Sequence, residues 1–434
     1  MLKRTSILVI CAGLFCQPVL ASRLVENALV TEVASGLDDA KTLLIKTVNI
    51  NSGTMNFAGV KQVGDILKKE YETLGFATQW IDGSEFDRAG HLVATYESLT
   101  HPTGQKLLLI GHLDTVFAKD DPFQQAKEID STHIAGPGIT DMKGGNVIML
   151  AAIKALKAQG MLHRLNIKVV LTGDEESSGR PLAKSKKALI DAAIWADVAL
   201  GFEDGDGDIN TAVTARRGSV SWQLTTTGNA AHSSQIFTDK VGDGAIFEMA
   251  RILQAFRLQL APLPLLSFNP GVIAGGTRVS QSQGGDEIKV FGKTNVVAQQ
   301  AMVKGGLRAA SLEQLNAARG IMENIVAQHL AQTDATFTFD DGYPPMKATK
   351  GNTALLAQYS QASVDLGYGP VSAVNPRNAG AADISFTAGH VKMAIDGLGL
   401  MGEGGHTKEE VADMRTLKQN IEKTAVLMYR LSHL

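Results

Sequence analysis

Three short apolar runs constrain this chain most: Lys106–Ile110, Asn166–Leu171 and Ala196–Phe202. Each breaks off at a polar cluster, respectively Gly111-His112-Leu113-Asp114, Thr172-Gly173-Asp174-Glu175-Glu176 and Glu203. Continuous apolar segments of this length fit strands covered on both faces. A helical repeat at Val147, Leu150, Ala151, Lys154 and Leu156 separates the first two. Upstream, Val60, Val63, Leu67, Tyr71 and Leu74 keep helical spacing, with extended segments at Ala77–Ile81 and His91–Tyr96. Covered strands alternating with helices predict an α/β fold, a mostly parallel sheet with helices on both faces. In such sheets functional residues collect at the carboxyl ends of strands, which is where the polar clusters fall.

The pattern changes near Thr214. Ser219–Gly228 alternates polar and apolar residues, as a strand with one wet face does. A helix (Gly244–Leu260), extended stretches (Glu287–Phe291 and Val297–Ala309), a helix (Leu312–Gln332) and a strand (Ala335–Asp340) follow. This βαββαβ order predicts a ferredoxin-like unit. Helix and strand alternation then resumes through Gly351–Leu366, Val391–Ile395 and Met414–Leu431. A chain of 434 residues exceeds what one core ordinarily organises, so residues 214–341 read as a domain inserted into a larger one made of 22–213 and 342–434.

Residues 1–21 read as a cleaved signal peptide: Lys3 and Arg4 open a mostly apolar run, and Val19-Leu20-Ala21 ends in a small residue. The run is too short for a membrane anchor and is broken by Gln17 and Pro18. Cys11 and Cys16, the chain's two cysteines, would leave with it, so the mature chain has neither disulfides nor thiolate-held metal. Any metal must then use His and carboxylates. Loss of Lys3 and Arg4 leaves 39 basic residues against 44 acidic ones, a net charge of −5. No basic field exists to attract nucleic acid. Periplasmic or secreted localisation is expected.

His112 and Asp114 lie two apart at a strand end and so point the same way. They fit a metal-ligating imidazole with an orienting carboxylate, or a hydrogen-bonded histidine with no ligand. Asp141, in Gly138-Ile139-Thr140-Asp141-Met142-Lys143-Gly144-Gly145, fits a ligand or a helix N-cap. Glu175 and Glu176 repel each other unless a cation or shared proton relieves them, the alternative being a solvated turn. Glu203 has the same ambiguity, and His406 sits in a glycine-rich loop, Glu403-Gly404-Gly405-His406. Taken as a set, two histidines and several carboxylates at strand ends make a candidate dinuclear site that acidifies a shared water and polarises a carbonyl, the chemistry of amide hydrolysis.

Rival motifs fail. Gly397–Gly402 satisfies GxGxxG without a following helix or a distant acidic residue. Asp204, Asp206 and Asp208 imitate a calcium loop, but Ile209 stands where glycine is needed and Ala215 where a bidentate Glu belongs. HExxH and GxSxG are absent.

Six segments in order, GHLDTV (111–116), GPGITDMKGG (136–145), TGDEESSG (172–179), GFEDG (201–205), GNAAHSS (228–234) and GEGGHT (402–407), resemble the dinuclear-zinc exopeptidase family of glutamate carboxypeptidase, carnosinase, aminoacylase and succinyl-diaminopimelate desuccinylase. The likeness is strongest to exported bacterial glutamate carboxypeptidase. It implies two divalent ions, Zn²⁺ or else Co²⁺ or Mn²⁺, bridged by Asp141, with His112 and Glu203 on one and Glu176 and His406 on the other. It further implies Asp114 as the group orienting His112 and Glu175 as general base. The inserted domain would be a lid and dimerisation module, with His232 reaching the partner's site to stabilise the oxyanion, and Asn295 and Arg308 binding substrate.

The chain departs from the family in a longer polar stretch, SQSQGGDE, before Asn295. It also reads Asp341-Gly342-Tyr343-Pro344-Pro345 where glutamate carboxypeptidases carry an arginine. The expected activity is removal of a C-terminal amino acid from a small peptide or N-acyl amino acid. The alternatives are an aminoacylase or deacylase, and an exported binding protein without catalysis.

Overall fold

A computed structural model describes residues 16–101, 103–282 and 287–433. Residues 1–15 of the expected signal peptide lie outside this range. The helix α1 (Cys16–Ser35) runs across the expected junction after Ala21 and is followed by α2 (Leu37–Val48) and α3 (Phe57–Thr73). Among the described residues no helix is long and apolar enough to cross a membrane.

The larger sheet has six strands: β1 (Ala77–Asp82), β2 (Gly90–Tyr96), β3 (Lys106–His112), β4 (Asn166–Thr172), β5 (Val198–Gly201) and, far along the chain, Met393–Ile395. Their order is β1-β2-β4-β3-β5 followed by Met393–Ile395 at the edge. Only β2 runs against the others, so the sheet is mostly parallel. Alternation along β3 explains the two helical layers. Leu107 and Leu109 join a core with Val147, Ile148 and Leu150 of α4 (Gly144–Ala158). Leu108 and Ile110 face the other way, onto Leu189, Ala192 and Ala193 of α5 (Lys187–Trp195). With both faces covered, polar side chains are left to the strand ends.

A second, four-stranded antiparallel sheet is built from β6 (Ser219–Gly228), β7 (Ser267–Gly276), β8 (Gln300–Arg308) and β9 (Thr333–Tyr343), in the order β7-β8-β6-β9. Its own core joins Val220, Trp222 and Leu224 of β6 to Met249, Ile252 and Phe256 of α6 (Gly244–Leu260) and to Leu315, Ala318 and Met322 of α7 (Leu312–Val326). The βαββαβ order holds, but one strand assignment is corrected. The second strand of the sheet is β7, not Glu287–Phe291; Ile288–Phe291 instead pairs with Arg278–Gln281 in a separate hairpin. Pro270 and Gly271 interrupt the pattern of β7, and the sheet tolerates them because β7 is an edge strand whose register shifts between Pro270 and Val272. Of the polar stretch before Asn295, Ser280 and Gln281 lie in the first strand of that hairpin, and residues 283–286 lie outside the described residues. Helix α8 (Lys350–Asp365), strand Met393–Ile395 and α9 (Arg415–Leu431) return the chain to the first unit.

Candidate metal centre

His112 ends β3 beside Thr172 of β4, in the middle of the larger sheet, and is 1% exposed. Its Nδ1 lies 3.0 Å from the backbone carbonyl of Asp114 and 3.5 Å from the Asp114 carboxylate. A donated Nδ1–H leaves the Nε2 lone pair facing the site, so Asp114 orients the ring chiefly through its main chain. The Asp114 carboxylate has other work: it accepts from Thr54 Oγ1 at 2.7 Å and from the backbone amides of Glu175 at 3.0 Å and Glu176 at 3.2 Å. Asp114 thus ties the end of β3 to the acidic turn after β4.

Asp141 sits in the Ile139–Lys143 turn that leads into α4. It does not cap that helix. Its Oδ1 lies 3.0 Å from His112 Nε2 and its Oδ2 lies 2.8 Å from His406 Nε2. Glu203 Oε1 approaches His112 Nε2 at 3.5 Å, and Glu176 Oε2 approaches His406 Nε2 at 3.2 Å. The result is two clusters of possible ligand atoms, His112–Asp141–Glu203 and Asp141–Glu176–His406, each confined within 4.8 Å and sharing Asp141.

The electrostatics of this pit call for cations. Burial drives the carboxyl groups of Glu175 and Glu203 well above the usual range, and Glu176 and Asp204 to about 7. Burial pulls the His112 imidazole down, but Glu203, Asp114 and Asp141 outweigh it and leave the ring well above its ordinary value. Asp141 and Glu176 hold His406 at about 11. Burial raises Asp141, yet both imidazoles overcome this and keep its carboxyl group far below normal. Glu176 Oε1 is buried with no hydrogen-bond partner. Five crowded carboxylates, two imidazoles and an orphaned oxygen fit divalent ions of oxygen and nitrogen preference.

Further residues, not read from the sequence, hold this arrangement. Asp396 Oδ1 accepts the Glu203 amide at 3.2 Å, and its other oxygen pairs with the buried Arg216 guanidinium at 2.8 Å. Lys186, fully buried, pairs with Asp174 at 2.9 Å and Asp383 at 3.2 Å beneath the Glu175 turn. Tyr343 donates its hydroxyl to the Glu175 carbonyl at 2.6 Å. In the sequence Asp396, Arg216 and Lys186 look like solvated charges.

The three expected substrate-binding residues lie outside the pit, Arg308 on strand β8 of the second sheet and His232 and Asn295 in segments that connect its elements. His232 and Asn295 are exposed neighbours: the Ser233 amide donates to the Asn295 carbonyl at 2.9 Å. Arg308 is at the other end of β8, eight residues from Gln300, about 26 Å along an extended strand. One copy of the chain does not bring these three together.

The fold and the pit at its strand ends define a metal-dependent hydrolase. The chain belongs to the peptidase family M20/M25/M40, whose model matches residues 108–432. It is 25% identical over 433 residues to carboxypeptidase G2 of Pseudomonas sp. (strain RS-16), covering 98% of this chain and 97% of that one. Its fold matches aminopeptidase PepT of Bacillus cereus with a TM-score of 0.72 at 20% identity, over 91% of this chain and 98% of that one. It also matches the YxeP protein of Bacillus subtilis, a dinuclear metal-binding peptidase of the M20 family, with a TM-score of 0.61 at 14% identity, over 92% and 99%.

Proposed function

We propose that the protein is an exported carboxypeptidase that hydrolyses the amide bond before a C-terminal amino acid of a small peptide or N-acyl amino acid. The observation that carries this is the pair of ligand clusters sharing Asp141, with the buried Glu175 beside them. His112 and Glu203 would hold one divalent ion, Glu176 and His406 the other, and Asp141 both. Bound there, Zn²⁺, or Co²⁺ or Mn²⁺, supplies Lewis acidity toward the scissile carbonyl and toward the attacking water.

Glu175 takes the proton from that water and delivers it to the leaving nitrogen. Its burial raises its basicity, which suits both transfers. Asp114 fixes the angle of the Glu175 turn through the two amide bonds described above. Arg308 is exposed at the C-terminal end of β8 and carries the fork geometry that matches a terminal carboxylate. His232 and Asn295, remote from Arg308 within one chain, would serve a partner copy's site. Ile246 and Phe247 on α6 and Val272 and Ile273 on the edge strand β7 are 49–64% exposed, which supports a homodimer through this unit. The signal-like start supports export to the periplasm or beyond.

The test is hydrolysis of dipeptides and N-acyl amino acids, each with a free and an amidated C-terminus. Chelation should abolish cleavage, Zn²⁺ or Co²⁺ should restore it, and amidation should remove it. Activity surviving metal stripping would overturn the metallohydrolase chemistry. Equal cleavage of amidated substrates would instead favour a deacylase.

A further inference from the structure

Glu410 lies four residues after His406 and is completely buried, although it belongs to the charged run Lys408-Glu409-Glu410. Its carboxylate reaches across to the turn that presents Asp141. Oε2 accepts the Gly138 amide at 2.8 Å; Oε1 accepts the Thr140 amide at 2.9 Å, the Thr140 hydroxyl at 3.1 Å and the Asp141 amide at 3.3 Å. Gly138 has φ of 70°, a left-handed conformation natural to glycine, and begins the turn whose amides converge on this one side chain. The backbone closes the link: the Gly136 amide donates to the Glu410 carbonyl at 3.2 Å, and Val411 pairs with Ala135. One short segment therefore grips Asp141 twice, at its backbone through Glu410 and at its carboxylate through His406.

We infer that Glu410 is a positioning residue for the shared ligand, fixing the Asp141 turn so that one carboxylate oxygen faces each cluster. This rests on the reading that Asp141 bridges two cations. The consequence differs from that of losing a ligand. Asp141 Oδ1 faces His112 and Oδ2 faces His406, so a turn that tilts moves both oxygens together. Loss of Glu410 weakens both ion sites in parallel, whereas loss of His406 weakens one. Glutamine cannot replace it, because its terminal amide turns one acceptor into a donor facing a backbone N–H.

The test is titration of metal-free protein with Zn²⁺, by calorimetry, for the wild type, Glu410→Gln and His406→Ala, with kcat and KM measured across Zn²⁺ concentration. In Glu410→Gln both dissociation constants should rise by about 10- to 100-fold, the range for outer supports of a metal site. Saturating Zn²⁺ should return kcat with KM unchanged. A folded Glu410→Gln that binds both ions like the wild type, loses only one, or stays slow at full occupancy overturns the inference. Should that variant not fold, Thr140→Val, which deletes the hydroxyl's bond to Glu410 along with its contact to Asp204 but keeps the three backbone amide bonds, should show a smaller parallel weakening; unchanged affinities there also overturn it. A wild type that takes up no Zn²⁺ would instead contradict the metal site itself.

Discussion

Stripping metal from this protein should make its stability fall as the pH rises, and the size of the fall follows from Glu176. Burial holds that carboxyl group at about 7 in the metal-free fold, against 4.5 when unperturbed. Between those values the folded chain keeps a proton that the unfolded chain has released. The stabilisation is complete below pH 4.5 and is lost as pH passes 7. A displacement of roughly 2.5 units at 1.36 kcal/mol each gives about 3 kcal/mol. His406, raised to about 11, acts in the same sense from pH 6.5 upward. Asp141 acts oppositely, but its window lies below 3.8 and outside the range measured. Urea unfolding of chelator-dialysed protein at pH 5 and pH 8 reads this directly. The alkaline sample should be weaker, Glu176→Gln should shrink the difference without abolishing it, because His406 and the buried Glu175, Glu203 and Asp204 act in the same sense, and Zn²⁺ should rescue the wild type at pH 8. Stability that is level or rises from pH 5 to 8 in the stripped wild type would refute the reasoning.

Two substitutions separate chemistry from binding. Glu175→Gln should keep its metal content, by elemental analysis, while kcat drops by about 10² to 10⁴, the usual contribution of a general base; normal turnover would remove Glu175 from that role. His232→Ala and Glu175→Gln, each impaired alone, should regain activity when co-refolded, because a mixed dimer holds one site with both an intact base and an intact partner histidine. No recovery in mixed dimers shown to form would place His232 outside the reaction.

The sequence made the larger sheet legible because both faces of β3, β4 and β5 are covered, so each strand is an apolar run that ends where polar side chains become possible. His112, Asp141, Glu176, Glu203 and His406 stood out for the same reason, at strand ends or in glycine-rich turns. What stayed hidden has physical causes. Strand β7 carries Pro270 and Gly271, which read as a loop unless its edge position is known. Helix α2 offers only Ala40, Leu43, Leu44 and Val48 as its buried apolar stripe. Glu410, Lys186 and Asp396 are charges that look solvated in one dimension. Their burial depends on distant segments, Glu410 meeting Gly138 and Asp396 meeting Arg216, and no local periodicity records such pairings.

The central claim is that Asp141 lies between two cations. Diffraction from crystals grown with Zn²⁺, recorded on both sides of the zinc absorption edge, tests it most directly. Two anomalous peaks per chain are expected, one beside His112 and Glu203 and the other beside Glu176 and His406, with an Asp141 oxygen on each. A single peak, or peaks that leave Asp141 without contact, would contradict the account.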